Sequence, residues 1–327
     1  MNNQLIDPQG RQFPYIRLSI TDVCNFSCTY CLPDGYQGDK KKSFLTVSEI
    51  KNLMTAFAEL GVFKVRLTGG EPSIRKDFVE IIRTVKNIPG IQQIATTTNG
   101  YKLKQRIQAW VDAGLTNLNV SVDSLDPKLF HSLTGHNRLQ EILDGIYFAQ
   151  TLALKKIKLN AVLLKNINSH QFHEYENLLK NNRLSMRFIE LMQTGDNLEY
   201  FKQYHVSADL LKNHLVNNGW IRKEKEPGAG PAIEYYHEDY QGTFGVIAPY
   251  DSDFCDTCNR LRISAMGEFH LCLFGEGGFS IRHLLKADSQ KEALKETLCR
   301  LLGNKRKQHF LHDGNTGFIP NLASVGG

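Results

Sequence analysis

The sequence predicts an α/β fold, an incomplete (β/α)6 TIM-like barrel followed by a C-terminal α+β region. Strand-like apolar segments alternate with amphipathic helix-like segments through the first two thirds of the chain. The connections between them are short, which is typical of a parallel sheet. Neither a G-x-G-x-x-G motif nor a phosphate-binding P-loop follows the first strand, and this favours a barrel over an open doubly wound sheet.

Six strands with intervening helices are predicted in this first part. Thr46 and Glu49 form a Thr-x-x-Glu capping box that begins the first helix. The predicted strands are residues 15–20, 63–70, 91–98, 116–122, 157–164 and 184–191. The predicted helices are residues 49–61, 78–88, 104–114, 139–153, 172–182 and 207–219.

The character of the sequence changes after the sixth strand and its helix. The Pro/Gly-rich segment "EKEPGAGPA" predicts a boundary between a first domain, residues 1–225, and a second, residues 226–327. In the second domain, residues 233–249 and 260–274 resemble antiparallel strands. Helices are predicted at residues 281–287 and 291–303, the latter with Cys299 packed in its interior.

Composition and charge narrow the class of protein. The net charge of +5 suits an anionic ligand, whereas basic runs such as "KRK" at residues 305–307 are expected to be solvated rather than to bind nucleic acid. The N-terminus lacks a signal-peptide pattern, and no apolar run approaches the roughly 20 residues that span a bilayer. We therefore expect a cytoplasmic protein that binds neither membrane nor nucleic acid.

Six of the seven cysteines fall into two sets of three. In a reducing compartment such thiols serve metals or catalysis more often than disulfides. The first set has the spacing C-x3-C-x2-C and the second C-x2-C-x13-C; they comprise Cys24, Cys28, Cys31, and Cys255, Cys258, Cys272.

The first set is one ligand short of a closed tetrahedral zinc site. A [4Fe–4S] cluster with three protein ligands leaves one iron open to a small molecule, so the spacing favours a cluster while zinc stays an alternative. In the second set, His270 could complete a Cys3His zinc site, because a strand would place it on the same face as Cys272. Arg260 and Arg262 argue instead for an open iron beside an anionic substrate.

Motifs in order along nearly the whole chain resemble a known family. Tyr30 before Cys31, together with "GGEP" after the second strand, resembles the radical S-adenosylmethionine superfamily. The segments "DPQGRQFPYIRLSITDVCN", "VRLTGGEP", "TTNG", "NVSVDS", "RFIELM" and a terminal Gly-Gly resemble the GTP 3′,8-cyclases, the radical lyases that open molybdenum cofactor biosynthesis.

This resemblance implies two [4Fe–4S] clusters and S-adenosylmethionine as cofactors. The barrel would hold the first cluster, and the C-terminal region would cover the barrel mouth and hold the second, whose open iron contacts guanine. A 5′-deoxyadenosyl radical would abstract hydrogen from C3′ of GTP. The product would be (8S)-3′,8-cyclo-7,8-dihydroguanosine 5′-triphosphate.

The resemblance also assigns roles to residues. The catalytic residues would be Arg17, Arg260 and Arg262. The GTP contacts would be Arg17, Arg66, Thr97, Lys158, Arg260 and Arg262. The S-adenosylmethionine contacts would be Tyr30, Gly70, Ser121 and Met192, with Glu71 beside Gly70. Gly326 and Gly327 would reach into the active site.

Members of that family often carry arginine where this chain has Val23 and Ser27, neither of which is a cluster ligand. The family also implies a homodimer, a flavodoxin or ferredoxin type of reductant, and cyclic pyranopterin monophosphate synthase as the downstream enzyme.

Two alternative functions stay open: a peptide-modifying radical S-adenosylmethionine enzyme with an auxiliary cluster, and a zinc-stabilised nucleic-acid-binding module.

Overall fold

The computed structural model describes residues 4–38, 43–225, 229–317, 323 and 325–326. Within them, the six predicted barrel strands are confirmed as β1 (Tyr15–Thr21), β2 (Lys64–Gly69), β3 (Gln93–Thr98), β4 (Asn117–Ser121), β5 (Lys156–Leu163) and β6 (Ser185–Glu190). The C-terminal strands are β7 (Ile221–Arg222), β8 (Ile233–Tyr236), β9 (Thr243–Ile247), β10 (Arg260–Ile263), β11 (Glu268–His270) and β12 (Phe279–Ser280).

All the predicted barrel helices form, and two further ones, α4 and α7, occur after β4 and β6. The helices are α1 (Val47–Glu59), α2 (Phe78–Lys86), α3 (Leu103–Asp112), α4 (Pro127–Thr134), α5 (Leu139–Gln150), α6 (Phe172–Lys180), α7 (Leu198–Tyr204), α8 (Asp209–Asn217) and α9 (Lys291–Leu302). The capping box of α1 is present, with Thr46 Oγ1 accepting from the Glu49 amide at 3.2 Å. The helix predicted over residues 281–287 is wrong, since only a 3-10 turn forms at Arg282–Leu284.

All twelve strands belong to one sheet, in the order β12-β11-β10-β1-β2-β3-β4-β5-β6-β9-β8-β7. The predicted antiparallel pairs β8–β9 and β10–β11 are confirmed. An unpredicted feature is that β9 pairs parallel with β6, and β10 parallel with β1. The C-terminal region therefore extends the barrel sheet at both edges, and among the described residues β9 and β10 are not paired with each other, so the barrel stays open.

Strand alternation separates an apolar layer from a polar lumen. Ile16, Leu18 and Ile20 of β1 are buried in the core beneath the helices, so the residues between them face the opposite side. At the C-terminus, Leu294 and Leu298 bury one side of α9. Cys299 is exposed, contrary to prediction, because it lies one residue, about 100° around the helix, from Leu298. No described helix is both long and apolar enough to cross a membrane.

Candidate active site

The loop after β1 carries Cys24, Cys28 and Cys31 and is fastened to the end of β2 by main-chain hydrogen bonds. The Gly70 amide donates to the Thr21 carbonyl at 3.0 Å, and the Glu71 amide donates to the Val23 carbonyl at 2.8 Å. A Cβ on Gly69 or Gly70 would overlap these same carbonyl oxygens, which is why glycine is required at both positions. Val23 acts here through its backbone, whichever side chain it carries.

Glu71 joins the ends of β2 and β3. Its carboxylate is 1% exposed and accepts from the Thr98 hydroxyl at 2.8 Å and from the Asn99 amide at 2.6 Å. Asn99 in turn donates to Asn25 Oδ1 in the cysteine loop at 2.9 Å. The "GGEP" and "TTNG" motifs thus buttress the cysteine loop together.

Tyr30 is tied to the end of β4. Its hydroxyl donates to Asp123 Oδ2 at 2.8 Å, and the Val162 amide donates to Asp123 Oδ1 at 2.9 Å. Burial raises the pKa of Asp123 to about 6. The side chain of Tyr30 is thereby held by Asp123, two residues beyond the last residue of β4.

The geometry of the thiols bears on which metal they fit. No cysteine of the chain, all seven being described, forms a disulfide. Among the described residues, the one group of three potential ligands with all donor atoms within 4.8 Å of one another is His173, Glu176 and His214, so neither cysteine set is that compact. Three thiolates on one zinc ion lie about 3.8 Å apart, given bonds of about 2.3 Å. In each cysteine set at least one pair of sulfur atoms is therefore farther apart than 4.8 Å, more than the separation on a single zinc ion.

Three arginines form a row across neighbouring strands. Arg17 of β1 pairs in register with Arg262 of β10 on one side and with Arg66 of β2 on the other. Arg17 Nε, Arg66 Nε and, on β3, Thr97 Oγ1 are buried without a hydrogen-bond partner among the described residues. Burial lowers the pKa of Arg17 to about 10, and burial together with Arg17 and Arg260 lowers that of Arg262 well below its usual value. Such crowded, incompletely partnered cations predict an anionic ligand.

The opposite wall of the lumen is also basic. Lys158 of β5 and Arg187 of β6 line a cavity with Arg17 and Arg66. Burial, followed by the charges of Arg187 and Arg66, lowers the pKa of Lys158 to about 5. A neighbouring cavity of about 640 Å³ opens at the amino ends of the strands and shares Lys64, Lys158 and Arg187.

Sequence reasoning missed three charged residues that line the larger of these two cavities. Lys64 lies two positions before Arg66 on β2, and Arg187 lies in "RFIELM"; either could have been found by extending the lumen alternation. Glu234 of β8 forms ion pairs with Arg187 and, at 2.8 Å, with Lys156. Burial raises the pKa of Glu234, but the charges of Arg187 and Lys156 outweigh it and bring the pKa to about 2. No local signal marks Glu234, because its partners lie on other strands.

Gly326, close to the C-terminus, lies in the lumen against two arginines. The Gly326 carbonyl accepts from Arg262 Nη1 at 2.6 Å and from Arg17 Nη1 at 3.2 Å. Its φ of +69° favours glycine, and a Cβ there would overlap the Thr68 methyl and lie 2.7 Å from the Thr68 hydroxyl. Gly327 lies outside the described residues.

The second cysteine set adjoins the same lumen. Its three cysteines line a cavity of about 80 Å³ together with Arg17, Met192, Arg260 and Arg262. The strand predicted through Cys272 ends at His270, so the expected shared face is lost. His270 is not among the described residues that line this cavity, and its Nε2 lies 3.6 Å from Glu268 Oε2. His270 therefore does not complete a zinc site with these cysteines here.

Charged residues of opposite sign lie near Cys28 of the first set and Cys258 of the second. Burial raises the pKa of Cys28 well above its usual value, and the nearby Asp123 carboxylate adds to this. Burial also raises the pKa of Cys258, but the charges of Arg260, Lys305 and Arg11 outweigh it and the pKa is lowered. Within the second set the effect differs by position, since burial raises the pKa of Cys255.

Comparison with known proteins places these features in a family. The model of the radical SAM superfamily matches residues 18–179, and that of Molybdenum Cofactor Synthesis C matches residues 184–311. A GTP 3′,8-cyclase of Vibrio parahaemolyticus is 51% identical over 326 residues, 99% of this chain and 98% of that protein. A GTP 3′,8-cyclase of Psychromonas ingrahamii is 52% identical over 327 residues, 100% of this chain and 96% of that protein.

Solved structures show the same fold. Streptococcus suis SuiB bound to S-adenosylmethionine matches with a TM-score of 0.64 at 14% identity, over 90% of this chain and 68% of that one. The superfamily implies a [4Fe–4S] cluster and S-adenosylmethionine, which fits three thiols set in a glycine-buttressed loop. On the full-length identity to named cyclases, the chain belongs to the GTP 3′,8-cyclase family of radical S-adenosylmethionine enzymes.

Proposed function

We propose that the lumen binds GTP between the two cysteine sets and that the chain converts it to (8S)-3′,8-cyclo-7,8-dihydroguanosine 5′-triphosphate for molybdenum cofactor biosynthesis. The row of Arg262, Arg17 and Arg66 carries this assignment, because the buried Nε groups of Arg17 and Arg66 have no partner within the described residues. A nucleoside triphosphate supplies the acceptors and the charge that the row requires. Thr97, which also has a buried unpartnered hydroxyl, is assigned to the same ligand.

The triphosphate is assigned to the basic wall. Lys64, Lys158 and Arg187 lie around the junction of the lumen with the larger cavity, where a chain of phosphates can extend. Arg260 and Arg262 line the cavity of the second cysteine set, so the guanine end is assigned there. This orientation brings both ends of the nucleotide into contact with charged groups fixed on strands.

The first cysteine set, Cys24, Cys28 and Cys31, is assigned to a [4Fe–4S] cluster and the second set to another. Tyr30, Gly70, Ser121 and Met192 are assigned to S-adenosylmethionine. When bound, this cofactor and the first cluster supply a 5′-deoxyadenosyl radical by one-electron cleavage of the sulfonium. The residues of the chain hold the C3′–H bond of GTP in reach and exclude water from the lumen.

Binding of GTP is expected to take up about one proton at pH 7, through Lys158. In the free protein the pKa of this ammonium is lowered to about 5, so it is mostly neutral at pH 7. A triphosphate beside it favours the charged form and raises the pKa. Anaerobic calorimetry in buffers of different ionisation enthalpy measures the uptake.

Lys158→Met should abolish this uptake and weaken binding by about tenfold or more, as expected for the loss of one charge-assisted contact. Lys104→Met is the matched control, because Lys104 is an exposed lysine of α3 and lines neither cavity. Uptake that persists unchanged in Lys158→Met would contradict the assignment of Lys158 to the triphosphate.

The activity itself is tested by anaerobic incubation with reductant, S-adenosylmethionine and GTP, followed by mass spectrometry. We expect 5′-deoxyadenosine and an isomer of GTP to appear together. Iron and sulfide analysis should give about eight of each per chain, four for each cluster. Zinc without labile sulfide would instead support a zinc-stabilised binding module, and 5′-deoxyadenosine without a GTP isomer would support a peptide-modifying relative.

The remaining assignments extend the same proposal. We assign residues 1–225 to the domain of the first cluster and residues 226–327 to that of the second. A homodimer, a cytoplasmic location, a flavodoxin or ferredoxin type of reductant and transfer of product to cyclic pyranopterin monophosphate synthase are proposed from family membership.

A further inference from the structure

Lys305 is a buried cation next to the second cysteine set. The "KRK" run was predicted to be solvated, and Arg306 and Lys307 are exposed, but Lys305 is only 5% exposed. Its ammonium donates to the carbonyl of Leu271, the residue before Cys272, and lies 5.3 Å from the centroid of the Phe13 ring. Lys305 therefore points into the protein at the position where the metal ligands lie.

The charge of Lys305 has no carboxylate partner within the described part of the chain. The neighbouring cation, Arg11, is different: its Nε pairs with the buried Asp7 carboxylate at 2.6 Å while its Nη1 donates to the Cys255 carbonyl at 2.9 Å. An unpaired buried ammonium costs several kcal/mol, so a compensating anion is expected close to it.

A cavity of about 350 Å³ indicates which anion compensates the Lys305 ammonium. Lys305 lines it together with Arg11, Cys255, Cys258 and Cys272. Three thiolates and the sulfides of an iron–sulfur cluster are the negative charges that this wall is built to meet. The first cysteine set has the opposite surroundings, with the buried Glu71 and Asp123 behind its loop.

We propose that Lys305 is the buried counter-charge of the second cysteine set and stabilises the reduced state of the cluster bound there; this rests on the proposed function, which places a cluster at that set. Reduction adds one electron from a low-potential donor and no proton, so the cluster becomes more negative by one charge. A fixed cation in a site of low dielectric lowers the energy of the reduced form more than that of the oxidised form.

The test is an anaerobic redox titration followed by electron paramagnetic resonance, with dithionite as reductant. It uses the full-length chain with Cys24→Ala, Cys28→Ala and Cys31→Ala, so that the second cluster alone gives the signal. We expect Lys305→Met to lower the ratio of reduced to oxidised cluster at least tenfold at a fixed potential, a shift of about 59 mV to more negative values. Lys305→Arg should restore the ratio, and Arg300→Met, which removes an exposed cation of α9 that does not line this cavity, should leave it unchanged.

An unchanged midpoint in Lys305→Met would overturn the inference. Lys305→Met could instead fail to retain the cluster. In that case, normal iron content in Lys305→Arg supports the role of Lys305 as a counter-charge. Iron content that is equally low in Lys305→Arg overturns the inference. If the parent chain with an intact second set assembles no cluster, the proposed function fails and the inference fails with it. That result is distinct from a cluster that assembles with an unshifted midpoint.

Discussion

Arg262→Met is expected to reduce kcat/KM for GTP by about 10- to 150-fold, the range that corresponds to one charge-assisted contact of about 1.5–3 kcal/mol. Arg262 is 6% exposed and lies between Arg17 on the neighbouring strand and the second cysteine set. Its Nη1 donates to the Gly326 carbonyl, and the rest of its guanidinium is assigned to GTP. Steady-state turnover measured as GTP isomer and 5′-deoxyadenosine checks the loss.

The same substitution is expected to stabilise the ligand-free protein. Burial and the charges of Arg17 and Arg260 lower the pKa of Arg262, and a base whose pKa is lowered on folding destabilises the folded state at neutral pH. Methionine fills similar space without the charge, so the thermal midpoint of the apo-protein should rise. Arg300→Met, on the exposed side of α9, is the control and should alter neither property.

Cluster assembly separates a substrate role from a structural one. Iron and sulfide contents should be unchanged in Arg262→Met, and likewise in Arg17→Met and Arg260→Met. Loss of iron together with activity would contradict the assignment of these arginines to GTP. Full activity combined with a lower thermal midpoint would also contradict this assignment, because the arginine would then stabilise the fold without binding GTP.

Gly326→Ala is expected to lower turnover about 100-fold without unfolding the protein. The added methyl would overlap Thr68, and the φ of +69° disfavours any residue with a Cβ, so the tail must leave the lumen. Its carbonyl then loses two bonds to guanidinium groups, which together are worth about 3 kcal/mol. Turnover and the thermal midpoint, measured side by side, check this expectation.

Two further variants distinguish the causes. Gly314→Ala is the matched control, because Gly314 has a φ of +71° but nothing within 4 Å of an added Cβ. It should show the backbone strain without the loss of activity. Thr68→Ser removes the methyl group that Gly326→Ala meets and should partly restore turnover in the double variant. An equal loss in Gly314→Ala, or no loss in Gly326→Ala, would contradict a working position for the tail.

Local signals in the sequence predict much of the fold, because the hydrophobic pattern of a barrel strand or helix can be recognised within about ten residues. The capping box of α1, the six strands and the two cysteine sets are of this kind. The pairing of β9 with β6 and of β10 with β1 is not, since strands far apart in sequence meet only in the folded sheet. The prediction placed these strands in a separate covering region, whereas in the structure they extend the barrel sheet at its two edges.

The residues of the candidate site likewise fall into those that local sequence patterns predict and those that depend on tertiary contacts. Alternation along β1 and β2 predicts that Arg17 and Arg66 face the lumen, and both line it. The burial of Lys305 and the pairing of Glu234 with Arg187 depend on tertiary neighbours that no window of sequence contains. His270 shows the converse: the strand alternation expected to reach Cys272 extends two residues beyond the end of β11, and the inferred zinc ligand set does not form among the described residues.

The most direct test of the account is the fate of the hydrogen at C3′ of GTP. The reconstituted protein is incubated anaerobically with reductant, S-adenosylmethionine and GTP deuterated at C3′, and the 5′-deoxyadenosine formed is analysed by mass spectrometry. A nucleotide held in the lumen with its ribose toward the first cysteine set predicts 5′-deoxyadenosine that carries one deuterium, and none when the label is at C2′ instead. Unlabelled 5′-deoxyadenosine from C3′-deuterated GTP would contradict the account.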